Sequence, residues 1–221
     1  MSTTALKPLR TWSAEKASAY RAKHPGDSLV LHFLIDASGS MEEYAEPLRE
    51  AYSFYLSWLK QQCSPMALGQ QVLFTHEVHA KPVQALATLP ALTTATYRPE
   101  GGTALYDALG TVLTQHPEPG QHVLTIFTDG RDLHSQAWTV ERCAGMLATL
   151  QAEAGWLVVF LAAFAEGLTV AHALGVPEGN ALVFPGTDIP AAFRQVQDAM
   201  QRYLAAPQAE RKLLTTGGFF A

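Results

Sequence analysis

The segment at residues 29–44 carries oxygen-bearing side chains with the types and spacing of ligands for a hard cation. Asp36, Ser38 and Ser40 stand at alternate positions directly after an apolar run, where a predicted strand gives way to a predicted helix. Side chains spaced in this way on a strand-to-helix turn can converge on one point. Convergent oxygens with no base nearby suggest a hard cation, and Mg²⁺ is the one that we expect.

Two further segments also lie where a predicted helix begins or a predicted strand ends. Gly101 and Gly102 let the backbone pass close to a neighbour, and a helix is predicted to open at Thr103. Asp129 follows the apolar strand that starts at residue 121, as Asp36 follows the first one.

Structural alternatives exist for two of these features. Ser40 and Glu43 match the capping box S-x-x-E, so Ser40 could serve only to start a helix. The Gly101–Thr103 loop could likewise be a plain glycine-rich turn with Thr103 as the helix N-cap.

Alternating strands and helices position these segments. The sequence pattern predicts strands at 28–36, 70–79, 121–128, 155–164 and 180–184, with a weaker strand or turn at 81–89. It predicts helices at 41–62, 103–115, 135–152, 167–174 and 188–205. The predicted fold class is therefore α/β, a Rossmann-like doubly wound, mainly parallel sheet with helices on both faces. In such sheets function collects at the carboxyl ends of strands, where Asp36 and Asp129 lie.

Length and composition limit the possible domain organisation and partners of the protein. The 221 residues suit one domain at 27–205, with an N-terminal extension at 1–26 and a tail at 206–221. The extension includes a possible helix at 13–23, and the tail is expected to be loosely ordered or packed as a local clip. The net charge of −5 makes a nucleic-acid partner unlikely. The longest apolar run, 156–165, is shorter than the roughly 20 residues that a membrane helix needs.

The cysteines and histidines give weaker signals. Cys63 and Cys143 lack metal-ligand spacing, so we expect buried, reduced thiols in a cytoplasmic protein. His32, inside the first strand, is read as a satisfied core histidine. On a strand, His76 and His79 would point to opposite faces, so no zinc site is predicted from them.

Taken together, the segments Asp36–Met41, Gly101–Asp107 and Phe127–Gly130 resemble a von Willebrand factor A (vWA) domain with a complete metal-ion-dependent adhesion site. The resemblance covers about residues 27–205 and follows the order of the elements as well as the motifs.

The resemblance implies a set of metal ligands. Ser38, Ser40 and Thr103 would ligate the cation, and Asp36 and Asp129 would bind it directly or through water. Mg²⁺ is the expected ion, with Mn²⁺ or Ca²⁺ as possible substitutes, and the expected partner is a protein that presents Asp or Glu to the metal.

The resemblance also bears on neighbouring residues and on the setting. Asp107 would hold the loop or a water, Arg98 and Arg131 could flank the site, and the 188–205 helix is where conformational coupling is expected. Intracellular bacterial relatives of similar plan serve in tellurite or stress resistance, or beside MoxR-type ATPases.

Two alternatives to a metal-dependent binding module stay open. The first is a phosphatase-like enzyme with Asp36 as nucleophile, although Ser38 stands where such enzymes carry their second acid. Neither a G-x-S-x-G elbow nor a phosphate-binding G-x-x-x-x-G-K-[ST] loop occurs, so we expect no enzymatic activity. The second is a structural or regulatory subunit whose metal site is purely stabilising.

Overall fold

The computed structural model describes Ala19 and residues 28–115, 120–153, 155–184 and 188–220. The possible helix at 13–23 therefore lies outside the described residues, apart from Ala19. Within the described residues, no helix has the length and apolar character needed to cross a membrane.

The described residues form a sheet of seven strands. The strands are β1 (Leu29–Asp36), β2 (Leu68–Phe74), β3 (Val78–Ala80), β4 (Gln84–Ala85), β5 (Gln121–Thr128), β6 (Leu157–Ala162) and β7 (Ala181–Val183). Their order is β3-β2-β1-β5-β6-β7, and β4 also pairs with β2. The pairs among β2, β1, β5, β6 and β7 are parallel, whereas β3 and β4 are antiparallel to β2. The predicted mainly parallel sheet is confirmed.

Helices cover both faces of this sheet. They are α1 (Ala45–Gln62), α2 (Leu105–Thr114), α3 (Val140–Glu153), α4 (Glu166–Ala173), α5 (Ile189–Ala205) and α6 (Gln208–Thr215), with short 3₁₀ helices at Gly39–Tyr44, Leu86–Thr88 and Glu178–Asn180. All eight residues of β1 are buried, because its alternate side chains enter two cores. Phe33 packs in the core under α1 and α5, and Leu34 packs in the core under α2 and α3.

Two predicted elements are wrong, and the weaker strand or turn predicted at 81–89 is short. The helix predicted from Met41 begins as a 3₁₀ helix, in which Met41 and Tyr44 are both buried because residues three apart share a face. The single strand predicted at 70–79 is a hairpin, since the Thr75 amide donates to the Glu77 carbonyl (2.9 Å) and turns the chain. The segment 81–89 contributes only the two-residue strand β4 before its 3₁₀ helix.

Two helices begin later than predicted. α2 begins at Leu105 and not at Thr103, because the Thr103 carbonyl accepts hydrogen bonds from the amides of Leu133 and His134 (2.9 Å each) and so does not begin the helix. α3 begins at Val140 and not at residue 135. Residues 135–138 form a loop instead, because the Ser135 hydroxyl and the amides of residues 136–138 form hydrogen bonds with Asp107 of α2.

The core histidine and the cysteines can now be placed. His32 is fully buried and forms hydrogen bonds with Gln70 (2.8 Å) and His122 (3.0 Å), which confirms its reading as a satisfied core residue. Cys143 is buried in α3 and unpaired. Cys63 is also unpaired. It lies just beyond α1 and is half-buried, whereas the sequence predicted a buried thiol.

The chain after α5 packs against the domain, which is the second of the two expectations for the tail. Asn180 is fully buried; its side-chain amide donates to the Thr215 carbonyl (3.1 Å), and its side-chain carbonyl accepts from the Phe219 amide (3.2 Å). The Arg211 guanidinium donates to the Leu204 carbonyl (2.7 Å) and to the Gln121 side chain (2.7 Å).

We expect Asn180→Ala to destabilise the protein by about 1–3 kcal/mol, because it removes two hydrogen bonds between buried Asn180 and the backbone of the tail. Urea unfolding measures the change, with Gln195→Ala on the exposed face of α5 as the control. Equal stability losses in the two variants would contradict the packing of the tail.

Candidate metal centre

The candidate site lies at the carboxyl ends of the two central strands, β1 and β5. Their register pairs Ile35 with Phe127, which brings Asp36 beside Thr128 and places Asp129 one residue beyond the edge of the sheet. This is the edge at which the sequence predicted that the ligands would collect.

Four of the five predicted ligands form one continuous hydrogen-bonded chain. The Ser38 amide donates to Asp36 Oδ1 (2.8 Å), and the hydroxyls of Ser38 and Ser40 lie 3.1 Å apart. The Ser40 hydroxyl in turn donates to Asp129 Oδ2. The structure therefore brings together the side chains of the first and third sequence segments.

The hydrogen bonds of Ser40 also exclude the capping-box alternative. Ser40 lies inside the 3₁₀ helix, whose N-cap is Ser38 and which has no side-chain cap. Its hydroxyl contacts Ser38 and Asp129, and the residue is exposed at the surface.

The Asp36 carboxylate lies buried at the bottom of the site. The Thr128 hydroxyl donates to Asp36 Oδ2 (2.6 Å) and accepts from the Gly130 amide (3.0 Å). The Tyr97 hydroxyl donates to the Asp36 backbone carbonyl (2.6 Å). The sequence analysis assigned no role to Thr128 or Tyr97. Thr128 adjoins Asp129 in a quoted motif, whereas no local pattern points to Tyr97.

The glycine-rich loop reaches the first segment through its backbone. The Gly39 amide donates to the Gly101 carbonyl (3.0 Å), and the Glu100 amide donates to the Ala37 carbonyl (2.8 Å). Gly101 has φ +67°, and a Cβ atom there would lie 2.5 Å from Nδ1 of His76. The expected close approach of this loop is therefore present, and it requires glycine at 101.

Thr103, the fifth predicted ligand, is held in this loop by His134. The Thr103 amide donates to His134 Nδ1 (3.1 Å), and the amides of Leu133 and His134 donate back to the Thr103 carbonyl. Because Nδ1 accepts a hydrogen bond, the neutral ring carries its proton on Nε2. His134 was missed in the sequence analysis, since it lies 31 residues away with no motif of its own.

Asp107 supports the neighbouring loop. Its carboxylate accepts from the amides of Gln136 (2.9 Å), Ala137 (3.0 Å) and Trp138 (2.8 Å). Of the two roles expected for it, the structure shows the one that holds a loop.

The charges of the site are poorly compensated. Burial raises the pKa of Asp36 from its ordinary value of 3.8 to about 6; hydrogen bonds from Thr128 and Ser38 oppose the shift, and the nearby Asp129 charge adds to it. Asp129 Oδ1 is buried and has no hydrogen-bond partner among the described residues. A buried, unpartnered carboxylate oxygen beside a second carboxylate fits a site that holds a cation.

The chemistry of the oxygen donors favours Mg²⁺, Mn²⁺ or Ca²⁺ over zinc. No group of three or more His, Cys, Asp or Glu in the described part of the chain could hold a metal ion. An ion at this edge would therefore depend on serine and threonine hydroxyls, which are ligands for hard cations.

The two arginines near the site have different surroundings. The Arg98 side chain donates to the Thr94 carbonyl (2.9 Å) within its own loop. Arg131 lines a cavity beside Asp129.

Solved structures show which fold this is. The vWF domain of the type V pilus tip protein Mfa5 from Porphyromonas gingivalis matches with a TM-score of 0.63 at 9% identity, covering 81% of this chain and 97% of that one. A von Willebrand factor type A protein from Catenulispora acidiphila matches with a TM-score of 0.51 at 14% identity, over 77% of this chain. This chain has a vWA-like fold.

The PilB minor pilin from Streptococcus sanguinis also shares this vWA-like fold, with a TM-score of 0.57 at 13% identity over 81% of this chain. The chain spans 63% of that pilin and 42% of the Catenulispora protein, so it corresponds to part of each. No family model and no curated protein sequence matches the chain.

We expect Asp36→Asn to stabilise the metal-free protein by about 1–3 kcal/mol at pH 8, because it removes a buried charge and keeps the side-chain shape. The folded state binds the Asp36 proton more tightly than the unfolded state, so the wild type loses stability as the pH rises from about 4 to about 6.

The gain in the Asp36→Asn variant should therefore be smaller at pH 5 than at pH 8. Urea unfolding in EDTA at both pH values measures it, with Asp198→Asn on the exposed face of α5 as the control. A gain that does not change with pH, or a loss at pH 8, would contradict the buried-charge assignment.

Proposed function

We propose that this chain is a non-enzymatic protein-binding module that holds Mg²⁺ and engages an Asp or Glu carboxylate of a partner protein. The observation that carries the proposal is the buried, unpartnered Oδ1 of Asp129 at the end of a chain of hydroxyls and carboxylates. The proposed ligands are Asp36, Ser38, Ser40, Thr103 and Asp129.

The balance of charge supports the choice of partner. Two carboxylates and three neutral hydroxyls would leave a bound Mg²⁺ electrophilic enough to accept a further carboxylate oxygen. The exposure of Ser40 and the partial exposure of Asp129 support an open side of the proposed site at the surface, where a partner can reach it.

The burial of Asp36 weighs against the phosphatase-like alternative. Its side chain is fully buried, and its two oxygens already accept from the Ser38 amide and the Thr128 hydroxyl. A nucleophilic carboxylate needs an oxygen that can approach phosphorus in line. Asp36 is better placed to anchor the turn that carries Ser38 and Ser40.

The fold comparisons support protein interaction in general terms. The similar structures include a minor pilin, a pilus tip protein and a pilus adhesin. For this chain, a cytoplasmic location rests only on its unpaired cysteines and is part of the proposal.

We expect Mg²⁺ at one hundred times its Kd to raise the Tm by about 5–10 °C, because an ion that binds only the folded state adds about 2.7 kcal/mol. The double variant Ser38→Ala with Thr103→Ala should lose this rise, whereas Ser57→Ala on α1 should keep it. Differential scanning calorimetry measures all three proteins, and an unchanged rise in the double variant would show that the ligands are misassigned.

Binding of the partner should depend on the same residues. In a pull-down from the native cell with the full chain as bait, we expect specific partners to be lost with EDTA and with the Ser38→Ala, Thr103→Ala variant. They should be retained by Ser57→Ala. A partner list that EDTA leaves unchanged would contradict metal-dependent binding, and together with a Mg²⁺-dependent Tm it would indicate a purely stabilising metal.

A further inference from the structure

A second feature of the same edge is a cavity of about 220 Å³ that shares a wall with the candidate metal centre. Its lining residues are Asp129, Arg131, Phe164 and Glu166. The space is about seven times the share of volume of one water molecule in the liquid, which is the size of a side chain. Because Asp129 belongs to both features, a partner that reaches the metal can also contact this cavity.

The aromatic wall of the cavity is held in place. Phe164 is 44% exposed, and its ring meets the buried Tyr44 ring edge-on at a centroid distance of 6.2 Å. Tyr44 lies in the 3₁₀ helix that also carries Ser40. The ring that is presented to solvent is therefore tied to the element that carries a proposed ligand.

Close packing of the loop after β5 against the start of α4 holds the two sides of the cavity together. A Cβ atom at Gly130 would lie 2.6 Å from Cα of Gly167, and one at Gly167 would lie 2.5 Å from Cβ of Ala162. No larger residue fits at either position without displacing backbone or core. The loop with Arg131 therefore packs directly against the start of α4, which follows Phe164.

The charged residues of the cavity are open to a ligand. Arg131 and Glu166 are both exposed, and neither side chain takes part in an ion pair or a hydrogen bond among the described residues. Asp129 and Glu166 would repel a second acidic side chain, and Arg131 would repel a basic one. An uncharged side chain with a polar end suits this combination.

We propose that the cavity selects partners that carry a tyrosine or tryptophan within two positions of the acidic residue that engages the metal. The inference rests on the proposed function and names the partner more closely. The aromatic ring would pack against Phe164 and lie under the Arg131 guanidinium, where aromatic pairing and cation–π attraction both apply. Its O–H or N–H group would donate to the Glu166 carboxylate.

Selection from a random peptide display library tests this inference. The full chain is the bait in Mg²⁺, bound peptides are eluted with EDTA, and the eluted sequences are read. We expect an acidic residue with tyrosine or tryptophan within two positions. Acidic peptides without aromatic enrichment would overturn the inference and leave the proposed function standing, whereas an EDTA eluate without acidic enrichment would overturn both.

Variants of the bait then show whether the cavity binds the aromatic side chain of the peptide. Phe164→Ala should weaken binding of a selected acidic–aromatic peptide by about tenfold and should keep the Mg²⁺-dependent rise in Tm. Phe54→Ala, which alters a phenylalanine that is 67% exposed on α1, is the matched control and should bind as the wild type does. Equal peptide affinities for the two variants would contradict the cavity as the aromatic site.

Discussion

The buried carboxylate of Asp36 is the interaction on which the rest of this edge depends. It joins two central strands through the Thr128 hydroxyl and fixes the following turn through the Ser38 amide. The Tyr97 hydroxyl holds the backbone carbonyl of the same residue. Burying this charge raises the pKa of Asp36 to about 6, a cost to folding that favours a bound cation.

The second loop reaches the turn after Asp36 through backbone hydrogen bonds, and the third loop reaches it through the side chains of Thr128 and Asp129. The amides of Gly39 and Glu100 join the first and second loops, and His134 fixes the main chain of Thr103 on both its amide and carbonyl sides. These contacts hold the turn that carries Ser38 and Ser40 beside the loop that carries Thr103, which is the preorganisation that a metal site needs. The same edge continues into the cavity beside Phe164, so the metal centre and the adjoining surface share one rigid support.

The parts of this structure that local pattern specifies were predictable from the sequence. Apolar runs such as β1 and β6 gave the parallel sheet, and oxygen-bearing residues at the ends of strands indicated the site. The hairpin after β2 was missed, because the polar Thr75–Glu77 segment interrupts only briefly an otherwise strand-like run. His134 and Tyr97 were missed because their roles arise from contacts between residues distant in sequence.

The central claim is that oxygen atoms from three loops hold a divalent cation at the carboxyl edge of β1 and β5. The most direct test is an anomalous difference map from crystals of the full chain grown with Mn²⁺, recorded at the manganese edge. The account predicts one peak enclosed by Asp36, Ser38, Ser40, Thr103 and Asp129. A map without a peak there, or with its main peak elsewhere on the chain, would contradict it.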